Sequence, residues 1–213
     1  MTAAPSMPGW PRPRLIAITD CTVVRPSDLA DRLEPWLAAA RPGSVMVQLR
    51  DHQLPIRERL DLGRQLSALA RRHEQLLCVN DRLDLALCLG ADGLHLGERS
   101  LPPRDARGLW GGHWISRACH EPAGATPAGA DAIVLSPVLA PRKGRPALGV
   151  DAVRHARQRA ASAWLVALGG IGADGARRCL EAGADGVAAI GAVLHERDPS
   201  SLLDALGVLR AVE

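Results

Sequence analysis

The tripeptide Gly-Ala-Asp recurs along the chain, and the copies beginning at Gly90, Gly129 and Gly183 each follow a helical or small-residue segment and precede a short apolar run. A glycine that ends a helix, an aspartate in the turn and a new strand would produce this pattern, which predicts a repeated helix-to-strand connection. Apolar runs with strand character fall at residues 15–19, 45–49, 76–79, 93–96, 113–117, 132–136, 164–168 and 187–190. Segments of helical period lie between them, at 27–40, 55–73, 82–89, 102–109, 150–161, 173–182 and 199–212, with a weaker Pro- and Gly-rich piece at 121–128. Proline near helix starts and glycine near helix ends fit the usual asymmetry of helix termini. Eight alternations of strand and helix favour a parallel (β/α)8 TIM barrel, an α/β fold in a single domain, over an open doubly wound sheet. Residues 15–213 are expected to form it, and the Pro-rich stretch MTAAPSMPGWPRPR at 1–14 reads as a loose leader without the apolar region of a signal peptide.

Composition removes several function classes. The chain has 213 residues, enough for one full core. Phe and Tyr are absent and five Trp are the only aromatics, which argues against a stacking platform for nucleic-acid bases, as does a scattered net charge of only +3. No stretch approaches a membrane span. The five cysteines form no CxxC pair and are odd in number, so reduced thiols in a cytoplasmic protein are expected. A homo-oligomer stays open.

In such a barrel the chemistry gathers at the carboxyl ends of the strands. The stretch WLVALGGIGADGARRCLEAGADGVAAIGAVL, residues 164–194, reads as strand, glycine turn, helix, strand and glycine turn. Glycines directly after a strand leave N–H groups uncovered and let an anion approach, so Gly169, Gly170, Ile190 and Gly191 are expected to cradle a phosphate. Elsewhere the mouth should carry Asp20, then Arg50-Asp51-His52, Asn80-Asp81-Arg82, then His95, Gly97, Glu98 and Ser100, Arg117 and His120, and finally Ser136, Pro137 and Lys143. The cations Arg50, Arg117 and Lys143 beside two glycine turns point to a phosphorylated, anionic small molecule. The PRKGRPALG loop carrying Lys143 reads as able to close over it. His95 is expected to be packed or to line the barrel, and Cys119 to be an inert thiol.

The segments VMVQLRD, CVNDRLDLALCLGADGLHLG, GADAIVLSPV and VALGGIGADGARRCLEAGADGVAAIGAVL together resemble the thiamine-phosphate synthase and TenI family, over residues 15 to 209. The resemblance implies a (β/α)8 barrel that binds thiazole phosphate. Its synthase branch joins hydroxymethylpyrimidine diphosphate to thiazole phosphate, with magnesium on the diphosphate. That branch shows Arg-Glu-Lys after strand two, Asn-Asp-Asp after strand three and Gly-Gln-Glu-Asp after strand four. Here Arg50, Asn80 and Asp81 are kept, but His52 stands at the lysine, Arg82 at the last Asp of the triplet and Ser100 at the metal-binding Asp. Asp81 is then the one matching metal ligand, with Glu98 an alternative by register shift. The TenI-type branch tautomerises a thiazole carboxylate phosphate without metal, and its Gly-Arg-Ser-Val-His matches Ser116-Arg117-Ala118-Cys119-His120 at the Arg and the His.

The substitutions around Asp81 favour the tautomerase, an isomerase, with His120 as catalytic acid and base and no cofactor. Arg50, Asn80, Arg117, Lys143, Gly169, Gly170, Ile190 and Gly191 would bind substrate. The alternatives are the transferase, thiamine-phosphate synthase, with magnesium at Asp81, and a non-catalytic protein that binds a phosphate of the thiamine pathway.

Overall fold

The structure is a computed structural model, and it describes residues 12–111 and 114–211. Of the segments read from sequence, residues 1–11 of the leader, His113 and Val212 lie outside the described residues. Eight strands follow in order: β1 (Leu15–Ile18), β2 (Val45–Leu49), β3 (Leu76–Asn80), β4 (Gly93–Leu96), β5 (Trp114–Cys119), β6 (Ala132–Leu135), β7 (Trp164–Leu168) and β8 (Gly186–Ala189). Each pairs in parallel with the next, and β8 pairs with β1, so the sheet is a closed barrel. The helices are α1 (Leu29–Ala39), α2 (Ile56–Arg72), α3 (Leu83–Leu89), α4 (Pro103–Leu109), α5 (Asp151–Ala160), α6 (Ala173–Glu181), α7 (Gly191–Leu194) and α8 (Ser200–Ala205).

Strand parity sorts the side chains into two layers. The register pairs His95 with Ser116, and these two are hydrogen-bonded inside the barrel. Residues between them face the helices, where Leu29, Leu33, Trp36 and Leu37 of α1 and Leu62, Leu66 and Leu69 of α2 join the core. At the barrel floor, a Cβ on Gly93 would lie 3.1 Å from Trp114, 3.3 Å from Met46 and 3.4 Å from Cys78. Those large inward residues therefore fill the floor only because Gly93 lacks a side chain.

The Gly-Ala-Asp copies at Gly90, Gly129 and Gly183 do more than turn the chain. Asp92 donates its N–H to the Leu77 carbonyl and accepts the Leu77 N–H on its carboxylate, each at 2.9 Å. Asp131 does the same with Ile115, and Asp185 with Leu165. Each aspartate thus clamps the second residue of the preceding odd-numbered strand, at the amino-end face. Gln75 plays a related part for β2, where its side-chain oxygen takes the Val45 N–H at 2.9 Å.

Four segments differ from the sequence reading. The helix read at 199–212 ends at Ala205, and the chain turns at Gly207, φ +64°. The weak piece at 121–128 forms only a 3-10 turn, Pro122–Gly124, because Pro122, Gly124, Pro127 and Gly129 leave too few consecutive N–H donors and too much backbone freedom for a helix. The chain after β8 does not simply turn at Gly191 but starts the short α7 there. Residues 12–14, read as leader, already pack on the barrel: Trp164 Nε1 donates to the Pro13 carbonyl at 3.1 Å, Val187 N–H to that of Arg14 at 2.9 Å, and Arg12 lies over the Trp164 ring.

Candidate functional site

Gly169 and Gly170, directly after β7, have φ of +116° and +69°. Space as well as conformation demands glycine at both. A Cβ on Gly169 would lie 3.0 Å from Pro137 Cα, and one on Gly170 would lie 2.9 Å from the Ala140 N and press on the Ala140 side chain. With Ile171, Gly172 and the β8 end from Ala188 to Ala192 they line a cavity of about 280 Å³, and Arg142 reaches into it from the loop after β6. Uncovered glycine N–H groups with one arginine make a pocket suited to a single phosphate. Arg142 was not singled out from sequence; its neighbour Lys143 was.

Those two residues belong to a tight hairpin. Arg142 and Arg145 exchange both backbone hydrogen bonds at 3.0 Å, and Lys143 and Gly144 between them have φ of +50° and +76°. Two successive positive φ values define a type I′ turn, whose twist suits a two-residue hairpin loop. The loop that sequence marked as a closing segment is thus an ordered arm. Arg145 meets the Glu98 carboxylate at 3.2 Å, so the arm is tied across the mouth to the loop after β4.

Across the barrel, Arg50 follows β2 and forms an ion pair with Asp20 at 3.2 Å. Burial pushes the Asp20 carboxyl up, but the Thr22 hydroxyl and N–H, with Arg50 and Arg142, bring it below the usual carboxylate range. Beside it His52, where a lysine would be expected, is pushed down by burial and by the charges of Arg50, Arg59 and Lys143, so it is neutral at pH 7 and supplies no cation. Asp81 sits at φ +66°, accepts a hydrogen bond from Ser100 and also has Gly97 against it. Arg82 does not face this carboxylate: its guanidinium is spent on Asp84. Glu98, the alternative metal ligand, is engaged by Arg145 and stands 3.8 Å from His120 Nε2. Among the described residues no cluster of three or more His, Cys, Asp or Glu is poised to hold a metal. Asp81 and Ser100 nevertheless form an adjacent pair of hard oxygen donors, and a magnesium ion that takes its remaining ligands from phosphate and water fits such a pair.

Between the two regions lies a polar lumen. Gln48 donates to Asn80 at 3.0 Å, and His95 and Ser116 share a hydrogen bond at 2.9 Å, all four side chains being buried. Burial pushes the His95 pKa down to about 4, against the opposing charge of Asp81, so the ring is neutral near pH 7. Gln48 and Ser116 were missed from sequence, although a glutamine inside the run VMVQL is itself a signal of a polar lumen.

His120, just beyond β5, points its Nδ1 at the Ser136 carbonyl, 2.7 Å away. A carbonyl only accepts, so Nδ1 carries a proton, and Nε2 faces the Glu98 carboxylate at 3.8 Å. Arg117 is not brought to the mouth. One residue after the inward Ser116, it faces outward and donates to the carbonyls of Gly124 and Thr126, at 3.1 and 2.6 Å. Its placement among the substrate-binding residues is therefore corrected: the guanidinium ties down the 3-10 turn that replaces the missing helix.

The sequence profile of the family described as thiamine monophosphate synthase matches residues 15–193. The chain belongs to this family. Among individual relatives, thiamine-phosphate synthase of Thermus thermophilus is 40% identical over 181 residues, 83% of this chain and 86% of that protein. The thiamine biosynthesis bifunctional protein ThiM/ThiE of Symbiobacterium thermophilum is 41% identical over 177 residues, 79% of this chain, and thiamine-phosphate synthase of Gloeobacter violaceus is 38% identical over 195 residues, 88% of this chain. The matched regions span only 36% and 56% of those two longer relatives. The solved thiamine phosphate pyrophosphorylase of Pyrococcus furiosus superposes with a TM-score of 0.80 at 28% identity, covering 91% of this chain and 95% of its own. No helix among the described residues is long and apolar enough to cross a membrane.

Proposed function

We propose that the chain is a thiamine-phosphate synthase, which transfers a hydroxymethylpyrimidine group from its diphosphate to the ring nitrogen of a thiazole phosphate. The observation that carries this reading is the pair of anion-compatible regions at one mouth. The glycine cavity at β7 and β8, with Arg142, suits one phosphate. Arg50, Asp81 and Ser100, in the loops after β2, β3 and β4, offer the means to hold a second, more highly charged group. A proton shift within one phosphorylated substrate needs only the first region, whereas transfer between two phosphorylated substrates needs both. The relatives named for the synthase reaction support the transferase over the tautomerase that the substitutions near Asp81 suggested.

In the transfer, the bond between the pyrimidine methylene carbon and the diphosphate oxygen breaks, and its electron pair leaves with the diphosphate. The thiazole nitrogen lone pair forms the new carbon–nitrogen bond. Arg50 and Lys143 stabilise the departing charge, while Gly169, Gly170, Ile190, Gly191 and Arg142 fix the thiazole phosphate. Gln48, Asn80, His95 and Ser116 offer hydrogen bonds to the pyrimidine in the lumen. Asp81 and Ser100 would hold magnesium, which when bound would neutralise charge on the diphosphate.

A second reading, the TenI-type tautomerase, keeps one specific support, the His120 ring oriented by the Ser136 carbonyl with Nε2 turned towards Glu98. The two diverge in a paired assay. One arm supplies pyrimidine diphosphate, thiazole phosphate and magnesium; the other supplies the non-aromatic thiazole tautomer with chelator. Thiamine phosphate formed in the first arm, retained in His120→Ala and lost with chelator, is the expected result. Metal-free tautomerisation that disappears in His120→Ala, with no coupling in the first arm, would overturn it; tight binding with no turnover in either arm would instead indicate a non-catalytic phosphate-binding protein.

A further inference from the structure

Two aspartates in neighbouring loops each hold the other's loop in place. Asp51, after β2 and only 2% exposed, accepts hydrogen bonds from the Thr19 hydroxyl and from the Cys21 N–H at 2.5 Å, so it fixes the loop after β1. Asp20, in that first loop, reaches back to the Arg50 guanidinium at 3.2 Å. Asp20 is itself held at two points, by the Thr22 N–H at 3.1 Å and the Thr22 hydroxyl at 2.5 Å. The Arg50 N–H closes the circuit by donating to Thr19 Oγ at 3.0 Å.

We infer that Asp20 is a positioning residue that aims the Arg50 guanidinium at the diphosphate, an inference that rests on the transfer reading above. An exposed ion pair contributes little, but here the side chains of Arg50 and Asp20 are only 22% and 13% exposed and the acceptor is already fixed. A guanidinium offers five N–H donors, and Asp20 engages only one terminal nitrogen. The others stay free for an anion. Holding a long side chain in place beforehand removes part of the ordering cost from the binding step. The carboxylate also repels a diphosphate, and this opposing effect decides what must be measured. Arg142 lies close enough to act on the same carboxylate, so a second cation offsets that repulsion.

The experiment is calorimetric titration of the full chain with inorganic pyrophosphate, in wild type, Asp20→Ala, Asp20→Asn and Thr22→Ala, alongside KM for each substrate. Asp20→Ala is expected to weaken pyrophosphate binding about tenfold, in keeping with the loss of one hydrogen bond to a charged group, and to raise the diphosphate KM equally. The thiazole phosphate KM should stay within about twofold, because its cavity is lined mainly from β7 and β8 and only Arg142 of its lining acts on Asp20. Asp20→Asn keeps an oxygen that accepts from Arg50 and should recover most of the loss, and Thr22→Ala should fall between.

Pyrophosphate binding in Asp20→Ala as tight as wild type, or tighter, would overturn the inference while leaving the transfer reading intact, and so would an Asp20→Asn variant as weak as Asp20→Ala. A wild-type chain that binds no pyrophosphate would remove the transfer reading, and this inference with it. Should Asp20→Ala fail to fold, Asp20→Asn and Thr22→Ala still decide.

Discussion

At the scale of single residues, the glycines after β7 carry the firmest expectation. Gly170→Ala would require a side chain at φ +69° and against Ala140, so it should cost about 2 kcal/mol as an overpacked, strained substitution and raise the Kd for thiazole phosphate more than tenfold. Thermal unfolding and a phosphate titration check the two effects separately. His95 gives a pH prediction. Its folded pKa, about 4, lies below the unfolded value near 6.5, so between those values the unfolded chain binds more protons. Stability from this residue is therefore full above pH 6.5, falls as pH drops towards 4 and levels off below. The total is about 3 kcal/mol. Urea denaturation across that range should show this slope in wild type and lose it in His95→Gln.

Residue chemistry was legible where it is local and hidden where it depends on facing. Gly-Gly after an apolar run announces positive φ, and Arg50 and Asp81 stand directly after strands. Arg117 shows the opposite case: whether a strand residue faces lumen or helix depends on register, and a barrel strand apolar on both faces gives no alternation from which to read it. Asp20 and Arg142 act through partners far along the chain, and those partners appear only once the loops are assembled.

At the scale of elements, all eight strands were visible because each is a short apolar run bounded by glycine, proline or a charged residue. The connection between β5 and β6 was the weakest reading, and a 3-10 turn held by Arg117 replaces a helix there. The Gly-Ala-Asp motif was recognised as a turn, but its clamp on the preceding strand was not, since a hydrogen bond to a strand 15 to 20 residues earlier leaves no local trace. Asp131→Ala leaves the Ile115 N–H without its acceptor and Arg107 without its carboxylate. Loss of about 2 kcal/mol is expected, as for a hydrogen bond to a charged group, and Asp185→Ala should match it through Leu165 and Arg157. Because both clamps lie at the amino-end face, KM and kcat in the folded variants should stay near wild type, which steady-state kinetics below the melting range would verify.

At the scale of the whole molecule, closure of the barrel depends on the chain just before β1. Pro13 and Arg14 offer carbonyls to Trp164 and to Val187, so residues 12–14 help to seal the β8–β1 seam. A chain starting at Leu15 should therefore melt below one starting at Arg12. Three hydrogen bonds are lost, those from Trp164 and Val187 and that from the Arg14 N–H to the Ser44 carbonyl, and at about 1 kcal/mol each they correspond to a fall of about 6–12 °C in a domain of this size, read by calorimetry on the two truncations. Long-range closure of this kind is a property of the assembled ring, and contacts of residues 12–14 with β7 and β8 leave no trace in the local sequence pattern.

The distribution of tryptophan has a practical consequence. Trp114 and Trp164 open β5 and β7, Trp110 precedes β5, and Trp36 lies late in α1, so all four described tryptophans sit towards the amino-end face, away from the mouth. With no tyrosine or phenylalanine in the chain, ultraviolet emission comes from tryptophan alone. Emission from these four residues is accordingly an optical gauge of the barrel floor, and replacing Trp10, which lies outside the described residues, with a non-emitting residue isolates it. It should follow unfolding closely yet change little when small molecules dock at the opposite face, so ligand titrations call for a label or a calorimeter.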